Sequence, residues 1–300
     1  EVIVVAQASP DETAKVAAAL GARVLVTPQN GGPGVARNLA AEHAAGDVLW
    51  FVDSDVIAWG DGAQKVRAAF ADPEVGAVFG SYDDAPDGQH WFSRYKNLMH
   101  RFYHQTARKD AATFWAGCGA VRAEVFRRIG GFDVETYRVP SIEDIELGYR
   151  IRRAGSRIVL DPTLLGKHLK VWTPKGALHT DIFRRALPWS RLMIAREGVA
   201  NDLNTSQAER LKAVLAGLLI LSVLALPFAL GLWWLPVALA AAALALNWRL
   251  FAFLRGNGGV WFAVRALAWH QFYYVYSAAA FVWCLFEFHV LGRKNRLHVP

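Results

Sequence analysis

Cysteine is almost absent from this 300-residue chain, with only Cys118 and Cys284 present. Two cysteines in separate regions exclude a disulfide framework and the paired spacing of a cysteine metal site, so a reducing compartment is the simplest reading. Charged residues make up 20% of the chain, and from Ala213 to Trp248 there are none. Internal repeats, low-complexity linkers and recognisable nucleic-acid motifs are also missing, so the net charge of +7 does not point to a nucleic-acid partner. The first residues read as a β-branched strand rather than a signal peptide.

What the chain has in excess is apolar surface, at 54% of residues. A helix needs roughly 20 apolar residues to cross a bilayer. The segments 211–229 and 233–254 each approach that length, which predicts two spans. Pro227, Gly231 and Pro236 supply turn chemistry around the junction, and Trp233 and Trp234 suit a membrane interface. A third apolar segment, 269–291, is rich in aromatics but carries His270, Gln271, Glu287 and His289, so it either spans or lies at the interface. Arg249, Arg255 and Arg265 place the second loop in the cytoplasm, and Arg293, Lys294 and Arg296 prefer the same side, which a third crossing forbids. Basic clusters at 150–157, 167–175 and 184–196 suit anionic headgroups or phosphorylated substrates.

Residues 1–205 alternate strand and helix. Strands are expected at 2–5, 23–27, 47–52, 75–81, 113–121 and 157–160. Helices are expected at 11–20 (Asp11 as cap), 35–45, 62–71, 91–106, 123–129 and 142–154. This order argues for a layered α/β sheet with crossover helices. Residues 206–300 form a membrane region. Asp47–Val52 is an unbroken apolar run, of the kind buried on both faces in a parallel sheet. It ends in Asp53-Ser54-Asp55, at the strand end where open α/β sheets bind ligands. Two carboxylates there offer hard oxygen ligands to a divalent cation, and an Asp/Ser turn is the plainer alternative.

A second acidic motif, Ser141-Ile142-Glu143-Asp144, opens a helix. Leu147 and Ile151 share the helix side of Asp144, so its first turn is anchored by packing. A carboxylate held this way suits a general base, although acids at helix N-termini also favour the macrodipole without any function.

Several further pieces occur in order with these motifs: Asn30 to Asn38, Trp115-Ala116-Gly117-Cys118-Gly119-Ala120, Gly130-Gly131-Phe132-Asp133 and Leu147-Gly148-Tyr149-Arg150. The ordered set resembles the family 2 glycosyltransferases, inverting enzymes with a GT-A fold, over nearly all of residues 1–200. The resemblance implies an α/β, GT-A nucleotide-sugar-binding sheet layered with helices, followed here by a C-terminal transmembrane helical region. It implies that Asp53 and Asp55 hold a divalent cation, Mn2+ or Mg2+, on the donor diphosphate, with His168 as a further metal or phosphate contact. Asp144 becomes the base and Glu143 its partner in the motif. Asn30, Arg37, Gly117 and Cys118 fall in the sugar-nucleotide site, and Arg185 and Trp189 in a basic-aromatic diphosphate contact that lipid headgroups explain equally well.

The implied function is transfer of a sugar from a nucleotide-diphosphate donor, with inversion, to a lipid-linked or saccharide acceptor. Membrane lipids and a second copy of the chain are the further expected partners. The implied place is a bacterial inner membrane, with the catalytic domain in the cytoplasm and a role in cell-envelope glycan synthesis. A processive polysaccharide synthase and an inactive membrane scaffold or sugar-nucleotide-binding subunit are the rival readings. The family's first strand, helix and Asn-Glu turn have no counterpart before Val2, so the chain is expected to lack them. Ala6-Gln7 stands where the family usually has an Asp for the base or ribose.

Overall fold

The computed structural model describes residues 1–199 and 203–293. Lys294 and Arg296, whose charge bears on the expected orientation, lie outside the described residues. Among the described residues the chain divides into two compact units, Glu1–Ser81 with Arg108–Lys167, and Tyr82–Ala107 with residues 168–293.

In the first unit β1 (Ile3–Gln7) and β2 (Arg23–Thr27) form a parallel pair. The five-stranded sheet holds β3 (Val48–Val52), β4 (Val56–Ala58), β5 (Val75–Tyr82), β6 (Cys118–Arg122) and β7 (Arg157–His168) in the order β3-β6-β5-β7-β4. Around these run α1 (Thr13–Ala19), α2 (Pro33–His43), α3 (Gly62–Ala69), α5 (Ala123–Arg128) and α6 (Glu143–Arg153). α4 (Trp91–Thr106) belongs to the second unit.

The element order matches the expected alternation apart from the short β4, which the sequence pattern does not predict, and four further differences. The strand buried along its whole length is β5, whereas β3 lies at one end of the order. It pairs antiparallel with β6, alternates Leu49 and Phe51 inward with half-exposed neighbours, and leaves Val52 40% exposed. An apolar run alone cannot tell a central strand from an edge strand. The strand expected from residue 113 starts only at Cys118. β7 runs past Pro162, because Asp161 takes the backbone N–H and hydroxyl of Thr163 at 2.9 and 2.8 Å, and a locally bonded bend accommodates a residue with no donor. Asp11 sits one residue outside the helix N-cap and accepts instead from the Thr13 N–H at 3.1 Å.

The second unit is helical. α7 (Pro174–His179) runs into α8 (Leu187–Leu192) through a π-helical stretch at Thr180–Ala186, and a second such stretch, Met193–Glu197, follows α8. α9 (Gln207–Ala225), α10 (Trp234–Leu246) and α11 (Trp248–His289) follow. α4 buries Phe92, Tyr95, Leu98 and Met99 against Leu250, Leu254, Phe262, Ala263 and Ala266 of α11, which ties it to the C-terminal helices. Among the described residues one helix, Gln207–Phe228, is by length and composition able to cross a membrane. The expected second span, 233–254, is not one helix: it breaks at Asn247, where the chain bends by 74°.

Candidate active site

Asp53 leaves β3 in a tight turn, its carbonyl accepting from the Val56 N–H at 2.9 Å, so Ser54 and Asp55 are confined between β3 and β4. Its own N–H donates to the Gly117 carbonyl at 3.1 Å, one step beyond the Val52–Cys118 pair. The antiparallel register thus brings Gly117 and Cys118 beside the acidic turn. Gly117 has no room for a side chain, because a Cβ there would stand 2.4 Å from the Trp115 ring. Cys118 is fully buried, and burial pushes its thiol up to about 11, which leaves it neutral and unsuited to nucleophilic work.

Arg37 links the two acidic motifs. It projects from α2, and its guanidinium donates to Asp53 at 2.5 Å and to Glu143 at 3.2 Å, with Phe132 under it at 5.3 Å. Burial works against its charge, but Asp53 and Glu143 outweigh burial and raise its pKa. α2 is held there by Asn38, whose amide donates to the Phe132 carbonyl at 2.9 Å and accepts from the Phe132 N–H at 2.8 Å. Asn30 closes the preceding turn by accepting from the Gly32 N–H at 3.0 Å. Gly32 is at φ 85°, and a Cβ would meet the Arg138 carbonyl at 2.9 Å, so only glycine fits.

α6 supplies the other wall. Leu147 and Ile151 are fully buried, as their spacing from Asp144 predicts. Gly148 lets the helix press on the backbone at Thr113–Phe114, where a Cβ would lie 2.4 Å from the Phe114 nitrogen. This contact sets Asp144 against the loop, and its carboxylate accepts from the Ala116 N–H at 3.2 Å and from the Ile145 N–H at 2.8 Å. Glu143 is buried and accepts from the Ser141 N–H at 2.8 Å as well as from Arg37. Arg150 anchors the far end, gripping Glu146 at 2.7 Å and donating to the Ile129 and Gly131 carbonyls at 2.9 and 2.6 Å.

Burial, and then the neighbouring Glu143 carboxylate, push Asp144 up to about 7, while Arg37 and the two N–H groups pull the other way. A carboxylate that titrates near neutrality is matched to taking a proton from a hydroxyl.

The structure therefore gathers Asp53, Arg37, Gly117, Cys118, Glu143 and Asp144 in one unit. The metal-binding expectation fits in part. Asp53 and Asp55 offer oxygen donors in one turn, and the Asp53 side chain keeps 36% of its surface open. Among the described residues, however, no group of three or more His, Cys, Asp or Glu stands ready to hold an ion. Two carboxylates suffice for Mg2+ only when substrate phosphates complete its shell. The other three expected site residues belong to the second unit. His168 is buried, with Nδ1 2.6 Å from Asn97 Oδ1 and its ring stacked on Tyr82 at 4.2 Å. Arg185 lies half-buried in the first π-helical stretch, and Trp189 is buried in α8. Sequence reasoning missed the Arg37 bridge, the Asn38 clasp and the Gly148 contact. Only the ordered Ala-Arg-Asn and Leu-Gly-Tyr-Arg motifs hinted at them.

Residues 1–130 match the family model described as "Glycosyl transferase family 2". Two curated relatives, the Pre-mycofactocin glycosyltransferases of Mycobacterium tuberculosis strains CDC 1551 / Oshkosh and ATCC 25618 / H37Rv, are each 30% identical over 169 residues. Each match covers 52% of this chain, which spans 35% of the relative's length. Among solved structures, the mannosyltransferase PcManGT from Pyrobaculum calidifontis, in complex with GDP-Man and Mn2+, aligns with a TM-score of 0.60 at 22% identity. That alignment covers 94% of this chain and 78% of the other. Over residues 1–130 the chain is thus similar to the glycosyltransferase family 2 model, and it shares an α/β fold with PcManGT.

Proposed function

We propose that this protein is an inverting glycosyltransferase that moves a sugar from a nucleotide-diphosphate donor to the hydroxyl of a lipid-linked or saccharide acceptor. The observation that carries the reading is Asp144, set in the first turn of α6 against the Ala116 N–H, with its neighbour Glu143 joined to Asp53 of the other acidic motif through the single guanidinium of Arg37. The likeness to the mycobacterial glycosyltransferases, and the GDP-Man and Mn2+ bound to PcManGT, support a nucleotide-sugar donor. Asp144 removes the acceptor proton as the oxygen attacks the anomeric carbon from the face opposite the leaving diphosphate. Glu143 and Arg37 fix that carboxylate's surroundings. Gly117 and Cys118 supply a close-packed wall beside Asp53. Asp53 and Asp55 are the residues proposed to hold a divalent cation, which when bound neutralises charge on the departing diphosphate. For Asn30, His168, Arg185 and Trp189 the proposed donor-site roles rest on the sequence resemblance.

The C-terminal helices are proposed to attach the protein to a membrane through α9 and α10, which favours a lipid-borne acceptor and places the catalytic domain on the cytoplasmic face of a bacterial inner membrane. Support comes from the apolar helix Gln207–Phe228 and from Trp233 and Trp234, which are 65% and 53% exposed. The test is Asp144→Asn, assayed with labelled sugar nucleotides and Mn2+ or Mg2+. Transfer is expected to fall by about 10²–10⁴ while nucleotide affinity stays near that of the parent. Undiminished transfer removes Asp144 from the mechanism.

A further inference from the structure

α11 cannot be a straight rod. Tyr274 donates to Asn247 Oδ1 at 3.1 Å, although 27 positions separate the two residues. A straight helix would hold them about 40 Å apart at 1.5 Å per residue. The reversal lies at Gly256-Asn257-Gly258-Gly259, where Gly259 takes φ 80° and ψ 177°. Tyr274 also donates to Glu209 in the first turn of α9, at 2.8 Å. The start of α9, the end of α10 and the middle of α11 therefore meet at one level, and α9 with α10 forms a hairpin whose two ends are pinned together.

From that level the rest of α11 runs beside the α7–α8 helical segment. Tyr276 donates to Asp181 at 2.7 Å, the Cys284 thiol reaches the Leu187 carbonyl at 3.6 Å, and Arg191 pairs with the buried Glu287 at 2.9 Å. The partner numbers rise together, so the two helices run parallel and side by side. The α7–α8 segment includes Lys175, Asp181, Arg184, Arg185, Arg191, Arg196 and Glu197, too much charge for a hydrocarbon core. A helix paired with it at three successive levels shares its depth.

We infer that the C-terminal apolar segment of α11, 260–289, lies along the membrane interface on the side where α9 enters, and does not cross. This rests on the membrane attachment proposed above. The occupant of its exposed apolar face, which includes Val260, Trp261, Val264, Val282, Trp283 and Phe286, is the headgroup–acyl boundary of an anionic leaflet. Charge complements that partner: residues 174–199 and 248–293 together hold nine Lys or Arg against three Asp or Glu.

The test uses the full chain on vesicles of phosphatidylethanolamine and phosphatidylglycerol, probed with a membrane-impermeant maleimide before and after detergent. The buried native cysteines serve as the blank. Lys15→Cys reports the side bearing the first unit, Gly231→Cys the hairpin tip, and Gly256→Cys, Leu291→Cys and Arg293→Cys the two ends of the segment. Labelling at 15, 256, 291 and 293 without detergent, with 231 labelled only after it, is the expected result. Labelling at 256 without detergent but at 291 and 293 only after it overturns the interfacial placement and leaves the hairpin standing. Labelling of Gly231→Cys without detergent, or release of the chain by alkaline carbonate, overturns the membrane reading itself and this inference with it.

Discussion

Arg37 and Glu143 are 106 positions apart in sequence and 3.2 Å apart in space. Both side chains are nearly closed to solvent, and the guanidinium's other arm holds Asp53. One cation thus serves a carboxylate from each acidic motif.

Removing it is expected to be costly. Arg37→Met leaves Glu143 buried with no opposing charge, and breaking a buried pair from one side costs about 3–5 kcal/mol. A thermal or denaturant melt measures the loss. Arg37 also lowers the Asp144 pKa, so the variant's pH profile of transfer shifts to higher pH. An unchanged profile in a folded variant rejects that coupling.

Transfer to a hydroxyl acceptor is expected to rise with pH through about 7, because only ionised Asp144 accepts a proton. Stability follows the opposite course. The folded carboxyl titrates above its ordinary value of 3.8, so between that value and about 7 the folded state binds more protons than the unfolded one. Stability contributed by this group is present at the acid end and lost as pH rises through the window. Denaturant melts across that range should show the slope, and Asp144→Asn should remove this group's part of it.

Gly148→Ala tests how Asp144 is placed. The added methyl meets the Phe114 backbone nitrogen at 2.4 Å, so α6 must shift. Overpacking of this kind costs about 1–3 kcal/mol. Transfer is expected to fall while donor affinity is spared, which a split between kcat and the donor KM would show. A variant with parental kinetics would mean that α6 need not sit where it does.

Chelation of divalent cations is expected to abolish transfer, with Mn2+ or Mg2+ restoring it, and Asp55→Ala should raise the cation concentration needed. Full activity in excess chelator would remove the cation role proposed for Asp53 and Asp55.

Much of the fold is legible because its signals are local. The 3.6-residue pattern of Glu143–Arg153 gives a helix with Leu147 and Ile151 inward, and β-branched runs give β1 and β2. The ordered motifs, through their resemblance to family 2 glycosyltransferases, bring Asp53, Glu143 and Asp144 into one expected site, and the uncharged stretch from Ala213 to Trp248 is visible in composition. Less local matters do not show. Val48–Val52 and Val75–Tyr82 are both apolar runs, and only strand order makes the second central and the first an edge. The Arg37 bridge, the pressure of Gly148 on Phe114 and the return of Tyr274 to Asn247 join residues 27 to 106 positions apart. Periodicity and capping fix what each segment becomes, since they act within a few turns of chain. Which segments meet is set by packing and hydrogen bonding between distant residues, and on that depend the titration of Asp144 and the course of α11.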